Sequence, residues 1–187
     1  MHHSRAASRF AVLGVLVFLG LRIPLSVQAS DGCAHPASSP EPALLGVGYG
    51  LAGIADAKQF HSGFLEWRGA PFWRSLAPYV FGSWRRTGAS YVGAGLIYGI
   101  DLSPHWRLSA SSGPGYFERD GDLDLGSRLE FASTIELAYR LPDGRRLACG
   151  FGHVSNAGAG RINPGAEFIR LSVQFPLSTG SIRRSPP

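Results

Sequence analysis

Arg128-Leu129-Glu130-Phe131-Ala132-Ser133-Thr134-Ile135-Glu136-Leu137-Ala138-Tyr139-Arg140 alternates with a period of two. Leu129, Phe131, Ile135, Leu137 and Tyr139 share one parity, and Arg128, Glu130, Thr134, Glu136 and Arg140 share the other. A β-strand sends successive side chains to opposite sides, so the stretch predicts a strand with one apolar and one polar face. The same rhythm recurs at 45–54, 61–68, 76–84, 91–101, 105–111, 146–155 and 167–175. In 167–175, Ile169, Leu171, Val173 and Phe175 oppose Arg170, Ser172 and Gln174. In 91–101, Val92, Ala94, Leu96, Tyr98 and Ile100 oppose Gly93, Gly95 and Gly99.

These eight strands predict an all-β fold: an eight-stranded antiparallel transmembrane β-barrel of the outer-membrane type over 45–176. The polar faces decide which side is inside. They mix Gly, Ala and Ser with Arg128, Glu130, Glu136, Arg140, Arg170 and Gln174. A narrow lumen accepts small residues and paired charges, whereas charge facing lipid costs a few kcal/mol per residue. Closure also removes the unpaired edges that a bilayer does not tolerate. Trp67, Trp84 and Trp106 fall near strand ends, as an interfacial belt requires. A soluble secreted sandwich or a lipocalin-like barrel shares the per-strand pattern and is the alternative.

The 187 residues suit one domain, and only 17% are charged, which argues against disorder and against a polybasic nucleic-acid arm. Two cysteines, Cys33 and Cys149, exclude a disulfide framework and a Cys-rich zinc site. Residues 1–29 read as a cleaved signal peptide: Arg5 and Arg9, the apolar run Phe10–Leu21, then Val27-Gln28-Ala29. Lipid attachment at Cys33 is disfavoured by Asp31. Removal of 1–29 takes three arginines and no acid, lowering the net charge from +5 to +2. Residues 30–44 read as a flexible lead and 177–187 as a C-terminal tail.

With both termini periplasmic, the turns at 101–104 and 141–144 are periplasmic and 112–126 is an extracellular loop. Arg128, Glu130, Glu136 and Arg140 are expected to form an interior charge network. Arg85, Arg86 and Arg161 are expected at the extracellular rim, either solvated or paired with phosphate. His35, His61 and His105 lack metal-ligand spacing. Asp120, Asp122 and Asp124 lack the remaining ligands of a calcium loop.

One cluster carries chemistry. His153, Ser155 and Glu167 share the outward parity of Phe151 and Ile169. Polar groups on a lipid-facing surface are expensive and point to function. His153 and Ser155 are two apart on one strand, about 6–7 Å between Cα atoms. Glu167 opens the next antiparallel strand, within reach of the other imidazole nitrogen. Nucleophile, base and orienting acid are all present.

The run His153-Val154-Ser155-Asn156-Ala157-Gly158, followed by Asn163-Pro164-Gly165 and Glu167, resembles the signature of PagL-type lipid A 3-O-deacylases. The resemblance implies an eight-stranded outer-membrane barrel that hydrolyses the acyl ester at the 3-position of lipid A. It implies Ser155 as nucleophile, His153 as general base and Glu167 as its orienting partner. The oxyanion donors it implies are the side chain of Asn163 and the backbone N–H of Gly158. Asn156 lies in the motif without an assigned role. No cofactor or metal is needed for this chemistry. The expected partners are lipid A in lipopolysaccharide and the outer membrane. No nucleic acid is expected, and a homodimer is left open. A phospholipase using the same outward site, and a non-enzymatic structural or adhesive barrel, are the alternatives.

Overall fold

The computed structural model describes residues 41–54, 59–120 and 123–177. The expected signal peptide, most of the lead and most of the tail lie outside these residues. Eight strands follow in chain order: β1 (Leu44–Ala52), β2 (Phe60–Arg68), β3 (Leu76–Trp84), β4 (Ser90–Asp101), β5 (Trp106–Glu118), β6 (Leu129–Arg140), β7 (Arg146–Ser155) and β8 (Ala166–Pro176). Each pairs with the next, and β8 pairs antiparallel with β1, so the sheet closes into a barrel. Closure satisfies every strand edge within the sheet.

The alternation predicts the faces correctly. Outward positions of β6 are large and exposed, Ile135 at 58% among them, while Ala132, Thr134, Glu136 and Ala138 point into the lumen and are buried. Exposed aromatics ring both ends: Trp67, Trp73 and Trp106 at the end where the chain enters and leaves, Trp84 and Tyr116 at the opposite loop end. Two such girdles bounding an apolar band are what a bilayer imposes on a barrel.

Two expectations are corrected. Residues 112–118 are not loop: they continue β5, which pairs with β6 through Pro114↔Phe131 and Tyr116↔Leu129. The Gly113-Pro114-Gly115 stretch reads as a turn in sequence. Proline has no N–H for a ladder, and pairing with β4 is interrupted opposite it, between Leu96↔Ser112 and Gly93↔Gly115. The strand passes through that gap. The interior network also differs from expectation. Arg128 lies outside β6 and donates to Tyr116 Oη at 2.8 Å on the rim. Arg140 donates to the carbonyl of Pro104 at 2.9 Å at the terminal end. Both sit at strand ends, where alternation no longer holds a side chain in the lumen.

The network at mid-barrel is a closed ring. Arg68 bonds Glu66 at 2.6 Å and Glu136 at 2.7 Å, and Arg170 lies 3.2 Å from Glu66 and 3.1 Å from Glu136. Gln174 donates to Glu136 at 3.0 Å. Two guanidinium groups and two carboxylates alternate, so the buried ring is neutral and each charge has two partners. Glu130 is buried in the lumen but stands apart from the ring. At the terminal end Glu41 pairs with Arg107, Arg140 and Arg146.

Candidate active site

β7 and β8 set the site through their register. His153 stands directly opposite Glu167, and both face outward beside Phe151 and Ile169. His153 Nδ1 lies 3.3 Å from Glu167 Oε1. Both ring nitrogens are buried, and among the described residues neither makes a hydrogen bond of good geometry. A carboxylate beside one imidazole nitrogen, with the second nitrogen uncommitted, is the layout a general base uses. Ser155 follows two residues along the same face, opposite Phe131 of β6. It is only 3% exposed, being at the strand end where the 156–165 loop folds back. The lumen above the charge ring holds a cavity of about 90 Å³, and none of His153, Ser155 and Glu167 lines it. These three residues therefore belong to the outward-facing parity of β7 and β8 and not to the lumen.

The loop after Ser155 is organised by Asn156, a residue with no role assigned from sequence. Asn156 is fully buried. Its Nδ2 donates to the carbonyls of Leu125 at 3.0 Å and Ile162 at 2.7 Å. Its Oδ1 accepts from Gly158 N–H at 2.9 Å, and its own N–H donates to Asn163 Oδ1 at 3.1 Å. One side chain thus joins the β7–β8 loop to the β5–β6 loop. Asn163 is oriented by the same bond, which engages its Oδ1. The Gly158 N–H is committed to Asn156, so binding an oxyanion requires it to exchange partners. Gly158 (φ 86°) follows Ala157 (φ 52°), a pair of left-handed residues that makes the turn. Gly165 (φ 63°) seats the loop against the imidazole: a Cβ there would lie 2.7 Å from His153 Cε1.

A specific loss follows for Asn156→Ala. It strands the buried carbonyl of Leu125, about 1–3 kcal/mol, and removes the part-buried bonds to Ile162 and Gly158. Hydrogen exchange in 156–165 is expected to accelerate at least tenfold while the strands keep their protection. Unchanged exchange in the loop would show that Asn156 does not hold it.

The remaining sequence candidates are dispersed. Arg85 is tied to Asp120 at 2.8 Å and stacks over Phe60, while Arg86 and Arg161 are exposed at the loop end without an ion pair among the described residues. His61 hydrogen-bonds Tyr49 on the outer face of β1–β2, and His105 stacks on Tyr139 at the terminal end. Asp124 pairs with Arg119 at 3.1 Å, and Asp122 lies outside the described residues.

A family model of lipid A 3-O-deacylases (PagL) matches residues 45–176, which is the whole barrel. The chain belongs to the PagL family. It is therefore a carboxylic ester hydrolase of the lipid A 3-O-deacylase type, resident in the outer membrane. The crystal structure of the outer membrane enzyme PagL superposes with a TM-score of 0.55 at 21% identity, covering 72% of this chain and 99% of that one. A de novo designed transmembrane β-barrel superposes with a TM-score of 0.53 at 14% identity, covering 74% and 98%. Both likenesses are of fold: a designed barrel matches nearly as well as the enzyme. No curated protein matches the chain by sequence. In this PagL-family chain the family match spans both the motif strand β7 and its partner β8.

Proposed function

We propose that this chain removes the acyl chain at the 3-position of lipid A with a Ser155–His153–Glu167 triad facing the outer leaflet. The observation that carries the reading is the outward-facing His153–Glu167 pair, 3.3 Å apart, on the same face as Ser155. Its place at the loop end supports an outer-leaflet substrate, since that end bears the longer connections 119–128 and 156–165.

In the reaction, Ser155 Oγ attacks the ester carbonyl while His153 Nε2 takes its proton. Glu167 holds Nδ1 and stabilises the imidazolium that forms. The negative oxygen of the tetrahedral intermediate is received by Asn163 Nδ2, joined by Gly158 N–H once it leaves Asn156 Oδ1. His153 then returns the proton to the departing sugar oxygen, and water releases the acyl group by the same steps in reverse.

The test is mass spectrometry of lipid A from Gram-negative cells that express the chain and assemble it in the outer membrane. Loss of one ester-linked acyl group, located at the 3-position by fragmentation, is expected. An unchanged spectrum with the barrel folded in the membrane would overturn the reading. Release of free fatty acid from glycerophospholipids instead would move the site to the phospholipase alternative.

A further inference from the structure

The polar row on the lipid-facing surface does not end at His153. Register places Ser133 of β6 directly opposite His153, and Ser112 of β5 directly opposite Ser133. Ser112, Ser133, His153 and Glu167 therefore form one continuous line across four strands. The Ser112 and Ser133 hydroxyls are 2.9 Å apart and hydrogen-bonded. Ser133 shares the outward parity of exposed Phe131 and Ile135, so the pair sits in an otherwise apolar surface. Two hydroxyls facing hydrocarbon satisfy each other with one of their two protons, which leaves one O–H to donate outward.

We propose that the Ser112–Ser133 pair recognises a hydroxyl on the β-carbon of the substrate's acyl chain, making the enzyme selective for 3-hydroxyacyl esters. This rests on the triad reading above. Ser155 stands opposite Phe131, so Ser133 lies one strand aside, about 4.8 Å, and two residues nearer the membrane centre, about 6.7 Å. The diagonal between the two serines is then about 8 Å. An acyl chain attacked at Ser155 runs toward the membrane centre and passes this pair. The attacking oxygen stands about 3 Å from the carbonyl carbon. The β-hydroxyl is three bonds further along the chain, and a hydrogen bond of about 2.8 Å completes the span. An unsubstituted chain leaves the two serines bonded to each other and only their one outward O–H without a partner, so the discrimination is moderate.

The experiment compares two synthetic glucosamine 3-O-esters in detergent micelles, one 3-hydroxydecanoyl and one decanoyl, with the full folded barrel. Wild type is expected to favour the hydroxyacyl ester about three- to tenfold in kcat/KM. In Ser133→Ala that ratio falls to about one, and Ser133→Thr, which keeps a hydroxyl, restores it. A merely structural role for the serines would slow both esters and leave the ratio intact. A wild-type ratio of one, or a ratio unchanged in both Ser133→Ala and Ser112→Ala, overturns the proposal. In that case decanoyl hydrolysis that vanishes in Ser155→Ala leaves the triad standing. Failure of wild type on both esters removes the triad reading and this inference together.

Discussion

Ser155→Ala lowers lipid A deacylation by about 10³-fold or more while the barrel still folds. The size of the loss follows from chemistry. Without Oγ no acyl-enzyme forms, and what remains is binding, an oxyanion site and a base able to activate water. Ser133 does not substitute for the missing nucleophile, because it stands opposite His153 rather than at the strand end beneath the loop donors. Folding is expected to survive, since the change removes one oxygen from a strand terminus and leaves the Asn156 bonds in place. Glu167→Gln is expected to lose less. Its side chain is 31% exposed, so water shares in solvating the imidazolium. Initial rates on purified barrels, with folding checked by heat-modifiable migration in SDS gels, decide the matter. A Ser155→Ala barrel within tenfold of wild type would falsify the nucleophile assignment.

Glu136→Ala destabilises the barrel by about 3–5 kcal/mol, the range for breaking a buried ion pair by removing one partner. Glu136 bridges Arg68 and Arg170, and after its loss both guanidinium groups face Glu66 alone. The lumen then carries an uncompensated positive charge, and Gln174 keeps only its longer bond to Glu66 at 3.4 Å. Arg170 also packs over Phe64 and Phe81 at 5.3 Å each, so its displacement disturbs the aromatic layer above the ring. Reversible urea unfolding in detergent gives the comparison. A midpoint equal to wild type would mean that lumenal water replaces the carboxylate at no loss.

The triad and the charge ring differ in how far the sequence reveals them. The strands β1 to β8 and their inner and outer faces follow from alternation, because each residue's side is a property of its own strand. Glu66, Arg68 and Arg170 were therefore legible as polar-face residues, but their assembly with Glu136 was not. Arg128 and Arg140, equally charged and on the same parity, lie at β6 ends and join rim contacts instead. The pairing of His153 with Glu167 was within reach of sequence, since a hairpin of neighbouring strands leaves few registers.

The eight-strand alternation, the lipid-facing parity of the motif and the residue types needed for ester hydrolysis are all written in the order of residues along the chain. Where partners from separate strands and loops meet is set by the folded barrel. The charge ring draws on β2, β6 and β8, and the serine pair joins β5 to β6. Asn156 reaches Leu125 in a different loop. β5 runs through Pro114 because β4 leaves a gap opposite it. The physical reason is common to all four: side-chain direction is set by the local backbone, whereas register and loop closure are set by hydrogen bonds between segments far apart in the chain.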